Sequence, residues 1–380
     1  MDKTIKYVCF YDFQDSNVSR CYTTSAVNKI DYILQSIEKT GFQIDLISTS
    51  FVNERSFKLY KSERKKISDH IRLLLPPSFG GSGKIISKLR VLWHLFYLFV
   101  YLLFHTHKNE IVIVYHSLSY FNVILWAKKI RKFQLILEAE EIYQDVSDKG
   151  NYLRKLEYKM FDIADAYFFS TELLDRKLNV GNKPSVINYG TYKKESIISE
   201  KFNDGKIHVV YAGTFDTYKG GAVVAAMSAA FLPSNYHLHI CGFGNESEIN
   251  HIKKVITDVS GKSGAVISYE GLLKGPEYIR FIQSCHIGLS TQNPAAAFND
   301  TSFPSKVLSY MSNGLSVVSI RIKAVASSAV GLYVCYYDEQ NPEQIATAII
   351  QAKTVNHNRE VIACLDKDFL LQLKQLFDHL

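Results

Sequence analysis

Short apolar runs alternate with longer stretches of helical periodicity along most of the chain. The runs are four to six residues long and rich in β-branched side chains, a pattern typical of parallel strands that are buried on both faces. Their alternation with helical stretches indicates βαβ units. In the first half, the pattern predicts strands at Lys6–Tyr11, Gln43–Ser48, Ile111–Tyr115, Gln134–Glu138 and Ala166–Ser170, and helices at Thr24–Thr40, Tyr120–Arg131 and Asn151–Ala164.

The same alternation restarts after Lys206, which indicates a second α/β domain. We predict an N-terminal domain at 1–190, a polar, lysine-rich linker at 191–205, a C-terminal domain at 206–364 and a closing helix at 365–380. The elements predicted for the C-terminal domain are His208–Ala212, Gly220–Phe231, His237–Cys241, Glu246–Val259, Val266–Tyr269, Pro276–Ser284, Ile287–Ser290, Lys306–Asn313 and Ser316–Ile320.

The composition agrees with this organisation. A chain of 380 residues suits two domains, and 47% hydrophobic with 21% charged residues is typical of a folded globular protein. The six cysteines are scattered singly without metal-binding spacing, which favours small buried side chains in a reducing compartment. The N-terminus has no long apolar segment and resembles a first strand, so we expect a cytoplasmic location.

Positive charge is concentrated beside an apolar segment. The formal net charge is +7, and the block from Glu54 to Arg90 holds ten Lys/Arg and three Asp/Glu, so the rest of the chain is balanced. Val91–Phe104 follows with fourteen nearly all apolar or aromatic residues, fewer than the roughly 20 that a membrane-spanning helix requires. A buried core helix is one interpretation. The basic block favours the other, a helix that contacts the anionic inner face of the membrane without crossing it.

A glycine turn follows the first strand of the C-terminal domain. Gly213 would let the backbone approach a ligand closely, and Thr214 comes directly after it. Lys219 adds a mobile positive charge just before the glycines that open the next helix, whose N-terminal N–H groups favour anions. An ordinary strand–helix turn could carry the same glycines.

The next two strands of this domain also end in glycine-containing loops. Gly242 and Gly244 form a G-x-G turn, which many βα connections need for purely local reasons. Gly271 and Leu272 begin a loop on which a nucleotide base could stack and bond the backbone. An ordinary strand end is the alternative at both places.

A polar loop leads through Pro304 into a later helix. The free N–H groups of Ser305, Lys306 and the following residue would point into this loop, beside the Ser302 and Ser305 hydroxyls and the Lys306 ammonium. Such a group of donors is suited to a diphosphate. A capped surface helix is the alternative.

Taken in order, these loops resemble the donor domain of a GT-B-fold glycosyltransferase, closest to the retaining family 4. The resemblance covers about residues 206 to 350 well and the N-terminal half loosely. It implies an α/β protein with two Rossmann-like domains facing across a cleft, and transfer of sugar from a nucleoside-diphosphate sugar, preferably a UDP-sugar, with retention at the anomeric carbon. The motifs that carry it are Gly213, Lys219-Gly220, Gly242-Phe243-Gly244, Gly271-Leu272 and the segment MSNGLSVV at 311–318.

The chain departs from the family at its charged positions. The phosphate-binding arginine of the family falls on Thr214, and its paired glutamates fall on Thr301 and Ser309. Ser309 cannot make the bidentate ribose contact of a glutamate. Backbone amides and Lys306 would therefore take over the neutralisation of phosphate.

Three carboxylates end a predicted strand of the N-terminal domain. Related transferases carry Asp-x-His-Glu there, facing the cleft, and Glu138, Glu140 and Glu141 fall on the matching places. A carboxylate there could bond an acceptor hydroxyl or take its proton, so Glu141 and then Glu140 are the catalytic candidates, with Glu138 on the acceptor side. His116 ends a strand at the same edge. A charged strand end that meets solvent is the alternative.

The loop before the first predicted helix is the other acceptor-side candidate. Relatives carry a glycine-rich turn there, whereas this chain offers Arg20, Thr23 and Thr24 instead.

These features predict a glycosyltransferase that acts on a saccharide acceptor, and the basic block with the apolar helix predicts that this acceptor is lipid-linked. The family resemblance implies a bacterial capsule, O-antigen or exopolysaccharide pathway. No Asp-x-Asp metal motif stands out beside the candidate donor loops, and a basic phosphate site would make a divalent ion unnecessary, so we expect neither a metal nor another cofactor. A sugar-nucleotide epimerase of the same fold and a non-catalytic binding partner remain alternatives. The basic residues accompany no nucleic-acid-binding motif, so a nucleic-acid partner is disfavoured.

Overall fold

The computed structural model of the chain describes residues 4–13, 16–143, 150–216, 221–293 and 301–380, with only the backbone described at residues 24 and 25. The chain divides into two compact units, Met1–Thr191 together with Asp368–Leu380, and Tyr192–Lys367. Each unit carries one large sheet with helices packed on it.

The large sheet of the first unit is parallel except at one edge. Its strand order is β10-β9-β8-β7-β1-β2-β5-β4, and β4 alone runs antiparallel, against β5. β3 and β6 form a separate antiparallel pair. The strands are β1 Thr4–Cys9, β2 Gln43–Ser48, β3 Leu59–Tyr60, β4 Glu63–Lys66, β5 Ile71–Leu75, β6 Ser78–Phe79, β7 Ile111–Tyr115, β8 Gln134–Ala139, β9 Ala166–Phe169 and β10 Ser185–Ile187.

Among the described residues of the first unit, five α-helices and the end of the last helix of the chain accompany the sheet. Tyr32 stacks on Phe369 with ring centroids 5.5 Å apart, and Phe42 packs on Phe377 at 5.0 Å. The last helix begins at Asn358 and not at residue 365, and its part from Asp368 onward belongs to this unit. The helices are α1 Thr24–Glu38, α2 Lys84–His105, α3 Phe121–Arg131, α4 Asn151–Ile163 and α5 Glu172–Leu178.

The sheet of the second unit is parallel throughout. Its order is β13-β12-β11-β14-β15-β16, the 3-2-1-4-5-6 order of a doubly wound domain, whose ligands bind where the order reverses. That switch point lies between β11 and β14. The strands are β11 Ile207–Thr214, β12 Tyr236–Phe243, β13 Val266–Gly271, β14 Ile287–Ser290, β15 Ser316–Ile320 and β16 Val334–Tyr337. The helices are α6 Gly221–Ser228, α7 Glu246–Ser260, α8 Gly275–Ser284, α9 Ser305–Ser312, α10 Lys323–Ala326, α11 Pro342–Gln351 and α12 Asn358–His379.

The residues predicted as a linker, 191–205, contain no helix or strand, but those from Tyr192 onward belong to the second unit. The Phe202 N–H donates to the Ser284 carbonyl at 2.9 Å, and Gln283 Nε2 donates to the Ser196 carbonyl at 2.7 Å. The segment is therefore bonded to the end of α8.

The basic block contains an edge strand that the apolar pattern does not predict. β4 has the sequence Glu-Arg-Lys-Lys, in which half-buried and exposed residues alternate. Charged side chains are common at sheet edges, where they discourage pairing with another chain. The sequence of this strand therefore lacks the apolar run by which the buried strands were predicted.

Arg90 does not belong to the exposed basic surface, although the sequence places it in the basic block. Its side chain is buried, with the guanidinium donating to the Val52 and Gly81 carbonyls. The rings of Phe51 and Phe79 lie 5.7 and 5.9 Å from its carbon Cζ. Arg90 therefore anchors α2 to the first unit.

Helix α2 is longer than the apolar segment that the sequence analysis considered. It has 22 residues, enough to cross a membrane by length and composition, and 22% of its most apolar window is buried. Its buried residues follow a four-residue period, which places them on one face. They are Arg90, His94, Leu98 and Leu102.

Candidate functional site

The switch point of the second sheet brings together two residues that lie far apart in the sequence. A Cβ atom at Gly213, near the end of β11, would lie only 2.4 Å from Lys306 Nζ and 2.6 Å from its Cε. The Lys306 ammonium also lies 4.0 Å from the centroid of the Tyr211 ring, a cation–π contact. The lysine side chain therefore rests on the glycine, at the strand edge where doubly wound domains bind ligands.

Gly242 and Gly244 allow close backbone packing at the end of β12. Gly242 has φ +148°, and a Cβ there would lie 1.8 Å from the Gly213 carbonyl oxygen. A Cβ at Gly244 would lie 2.9 Å from Glu248 Cβ. Asn245 and Glu248 form a capping box at the start of α7, so two of its amide donors are already bonded.

Helix α9 starts one residue earlier than predicted, at Ser305 instead of Lys306. Pro304 is its N-cap, with φ −73° and ψ 110°, and Ser305 is the first helical residue. The Val307 N–H donates to the Pro304 carbonyl at 3.1 Å, so the expectation that this amide is free was wrong. Ser305 and Lys306 occupy the first turn of α9, and Ser302 lies half-buried in the preceding loop.

Ser309, at the place of the family's second glutamate, is bonded to helix α8 through the Tyr278 side chain. Its backbone carbonyl accepts from Ser312 Oγ and Asn313 Nδ2. Thr301 is buried. The Tyr278 contact connects α8 to α9, and a serine side chain offers one hydroxyl where the family has a carboxylate.

Tyr310 is a residue that the sequence analysis did not identify. It is wholly buried, and its hydroxyl accepts from the Ala212 N–H at 2.9 Å, next to Gly213. Its ring lies against Gly288, where a Cβ would be 2.2 Å from Tyr310 Cγ. Tyr310 therefore fixes the end of β11 relative to α9. The only sequence signal was a glycine inside a predicted strand, which often marks a close approach.

The loop after β13 is open. Gly271 has φ +75°, and a Cβ there would meet no heavy atom of the described residues within 4 Å. Leu272 is about half exposed. Lys219 lies outside the described residues, as does Gly220. Helix α6 starts at Gly221, whose carbonyl accepts from Thr291 Oγ1 at 2.6 Å beyond the end of β14.

A second group of polar residues lies at the carboxyl end of β8 in the first unit. Glu138 is buried and accepts from the Tyr7 hydroxyl. Lys29 forms an ion pair with Glu140 and donates to the Asn188 carbonyl at 2.8 Å. Burial, followed by the charge of Glu140, raises the pKa of Glu138 to about 7. The two carboxyl groups therefore differ in environment, and Glu141 lies half-buried directly after them.

His116 is a buried residue of the same unit. Its ring stacks on Tyr143 at 5.0 Å, and its Nε2 lies 3.6 Å from Glu157. The Tyr143 hydroxyl donates to the His116 carbonyl at 3.0 Å. Burial lowers the pKa of His116 to about 4, so the imidazole is neutral near pH 7.

The other acceptor-side residues differ in exposure. Arg20 is buried, lies 3.5 Å from Asp12 and donates to the Ser50 carbonyl at 3.1 Å. Thr23 is the exposed N-cap of α1, and its side chain makes no capping bond to the described residues. The side chain of Thr24 lies outside the described residues. Arg20 therefore holds the loop to the strand ends, and Thr23 is the more accessible group.

Comparison with known proteins identifies the fold. No family model matches the chain, and no curated protein matches its sequence. The solved structures include sucrose-phosphate synthase from Thermosynechococcus elongatus, with TM-score 0.66 and 12% identity, covering 99% of this chain and 98% of that one. The Anabaena protein Alr3699/HepE in complex with UDP has TM-score 0.61 and 9% identity, covering 100% and 99%.

The lipopolysaccharide outer core galactosyltransferase WaaB in its apo form has TM-score 0.61 and 13% identity, covering 99% of this chain and 100% of that one. Likeness at such low identity concerns the fold. It confirms the predicted architecture: the chain has the GT-B fold, with two Rossmann-like domains.

The raised pKa of Glu138 predicts how stability depends on pH. Between about pH 4 and pH 7 the unfolded chain loses this proton while the folded protein keeps it, so stability falls as the pH rises. Glu138→Gln removes this loss and keeps an acceptor for Tyr7. Between pH 5 and pH 8, we expect the unfolding free energy of the variant to rise by about 2–3 kcal/mol relative to the unsubstituted protein.

Denaturant unfolding at pH 5, 6, 7 and 8 measures this difference. Glu277→Gln replaces an exposed carboxylate and serves as the control, for which the difference stays constant. If the unfolding free energies of the unsubstituted protein and of Glu138→Gln change equally with pH, the raised pKa of Glu138 is contradicted.

Proposed function

We propose that the protein is a glycosyltransferase that moves a sugar from a nucleoside-diphosphate sugar, preferably a UDP-sugar, to a hydroxyl of a saccharide acceptor. The observation that carries the proposal is the Lys306 ammonium on Gly213, at the switch point of a doubly wound sheet. Sugar transfer from such a donor releases a nucleoside diphosphate, and a cation held at this edge stabilises the charge that develops on it.

The start of α9 adds to this charge. Its first turn contains no acidic residue, and its N-terminus carries partial positive charge. The Ser305 and Lys306 amides and the Lys306 ammonium together would hold the diphosphate. With the phosphates neutralised in this way, the proposed reaction needs no metal ion or other cofactor. We place Lys219 on the same phosphates, as the family resemblance implies.

The open loop after β13 is the proposed seat of the base. Its backbone carries no side chain at Gly271, so a planar ring can approach it, and Leu272 offers apolar surface. One structural relative is described in complex with UDP, and others are UDP-forming trehalose-phosphate synthases. These relatives support a uridine nucleotide.

The carboxylates of the first unit are the proposed acceptor groups. Glu138 is buried, its pKa is raised to about 7, and it accepts a hydrogen bond from Tyr7, so it positions the strand end. Glu140 is paired with Lys29. We propose Glu141, which falls on the place of the family's strand-end glutamate, as the group that bonds the acceptor hydroxyl or takes its proton, with Glu140 as second choice. Retention at the anomeric carbon follows from the family 4 resemblance.

The acceptor is proposed to be lipid-linked because one face of α2 is apolar and exposed. The four residues on that face lie opposite the buried one, and each is more than half exposed. Exposed Lys84 and Lys88 flank its first turns, which suits an anionic surface. The residues of this face are Ile85, Leu89, Leu92 and Phe96.

A location on the inner face of a bacterial membrane follows as part of the proposal. The relative that is a lipopolysaccharide outer core galactosyltransferase supports a role in surface polysaccharide synthesis. The family resemblance implies a capsule, O-antigen or exopolysaccharide pathway for such an acceptor.

Nucleotide binding tests the donor site. Among UDP, GDP, ADP and CMP, we expect UDP to give the largest rise in melting temperature, because a ligand that binds the folded state stabilises it. Lys306→Ala should weaken UDP binding by about tenfold or more, through loss of a charge-assisted contact of about 1.5–3 kcal/mol.

The control is Lys254→Ala, which removes an exposed lysine of α7 and should bind UDP normally. The proposal fails if no nucleotide shifts the melting temperature. Conversion of UDP-sugar to an epimer without acceptor would assign the protein to the epimerases instead.

Gly213→Ala tests the geometry directly. The added Cβ meets the flexible end of Lys306, so the lysine must leave its place while the fold is kept. We expect the melting temperature to stay near that of the unsubstituted protein, while the affinity for UDP, measured by calorimetry, falls by about tenfold. Unchanged affinity would show that the position of Lys306 on Gly213 does not matter for binding.

Sedimentation with lipid vesicles tests the membrane surface. The protein should sediment with phosphatidylcholine vesicles that contain phosphatidylglycerol, less with pure phosphatidylcholine, and less at high salt. The double variant Leu92→Glu, Phe96→Glu should lose this binding. Leu332→Glu, at a fully exposed position of the second unit, should not. Equal sedimentation of both variants would exclude this face of α2.

A further inference from the structure

Three histidines lie side by side on the second sheet, away from the proposed donor site. His208 is on β11, and His237 and His239 are on β12, where His208 and His237 are direct cross-strand partners. One nitrogen of each ring lies within 4.8 Å of a nitrogen of the other two. His208 precedes Gly213 by five positions, roughly 16 Å along a strand.

Carboxylates contact the outer nitrogens of two of these rings. His208 Nε2 lies 2.9 Å from Asp204 Oδ1, and His239 Nδ1 lies 2.8 Å from Glu270 Oε1. The inner nitrogens, His208 Nδ1 and His239 Nε2, lie 2.8 Å from each other. A histidine that ligates a metal ion commonly donates its other N–H to a carboxylate in this way.

Each of these three contacts needs one hydrogen between its two atoms. Two neutral imidazole rings carry only two such hydrogens, one N–H each. Ionised carboxylates only accept, so each outer nitrogen must carry the hydrogen. The two inner nitrogens then face each other with lone pairs. A cation between them resolves the conflict, either an additional proton or a metal ion.

His237 is held in the matching tautomer. Its Nε2 lies 2.8 Å from Ser268 Oγ, and the Ser268 hydroxyl donates its one hydrogen to Glu270. The serine oxygen must therefore accept from His237 Nε2–H, which leaves the lone pair of this ring on Nδ1.

The cluster is buried on one side and open on the other. His208 and His239 are buried, and Phe202 stacks on His208 at a centroid distance of 4.2 Å. His237 is half-buried and Asp204 is exposed, so this side of the cluster is open to ions from solution.

We propose that His208, His237 and His239 bind one divalent transition-metal ion, zinc by preference. Three neutral imidazoles are typical zinc ligands, and water would fill the fourth position. Zn–N bonds of about 2.0–2.1 Å in tetrahedral geometry require the inner nitrogens to move apart by roughly 0.6 Å. The ion would join β11 to β12, and Asp204 and Glu270 would orient the ligand rings.

Metal titration of the chelator-treated full chain tests the site. We expect one Zn²⁺ per chain by calorimetry and a higher melting temperature with Zn²⁺. Co²⁺ should give the visible absorption of a tetrahedral site. His239→Asn and His237→Asn should each weaken binding at least tenfold.

The matched control is His251→Asn, which replaces an exposed histidine on α7 and should bind normally. His237 is only half-buried, so its variant decides the matter if His239→Asn fails to fold, as judged by circular dichroism. Absence of stoichiometric binding, or equal loss in His251→Asn, would overturn the proposal.

Discussion

The proposed donor site depends on two glycines near the ends of β11 and β12, where a side chain would not fit without displacing its neighbours. Gly242 lies so close to the Gly213 carbonyl that a Cβ would overlap it, and Gly213 in turn leaves room for the Lys306 side chain. Tyr310 fixes the same strand end through its hydroxyl, and its ring fits only because Gly288 is a glycine. Gly213, Gly242 and Gly288 therefore determine where the Lys306 ammonium can lie.

Ionisable groups in the two units are organised by burial. In the first unit, burial raises the pKa of Glu138 to about 7, while Glu140, two residues later, forms an ion pair with Lys29. In the second unit, three histidines lie on one face of the sheet, and carboxylates contact two of them. Two neutral histidine rings have one hydrogen too few for their three contacts. This shortage, and not the charge alone, is the reason to infer a metal ion.

Helix α2 shows how one apolar segment can have two roles. One face is buried, and there Arg90 satisfies two backbone carbonyls between aromatic rings. The opposite face leaves large apolar side chains in solvent. A contiguous exposed apolar face of this kind is unusual for a soluble surface and typical of a binding surface.

Local periodicity determined much of the fold. Buried parallel strands carry a continuous apolar signal, so Gln43–Ser48, Ile111–Tyr115, Ile287–Ser290 and Ser316–Ile320 have the predicted bounds. The charged edge strand β4 lacks that signal. The ordered glycine motifs also predicted the GT-B fold, because backbone approach leaves a trace in the residue type itself.

Tertiary structure alone decided the contacts between distant residues. Spacing could not show that Arg90 is buried, that the Val307 amide is bonded, or that Lys306 lies on Gly213. The histidine cluster is the clearest case. Its members show no metal-binding spacing in the sequence, and only the parallel pairing of β11 with β12 places His208 beside His237.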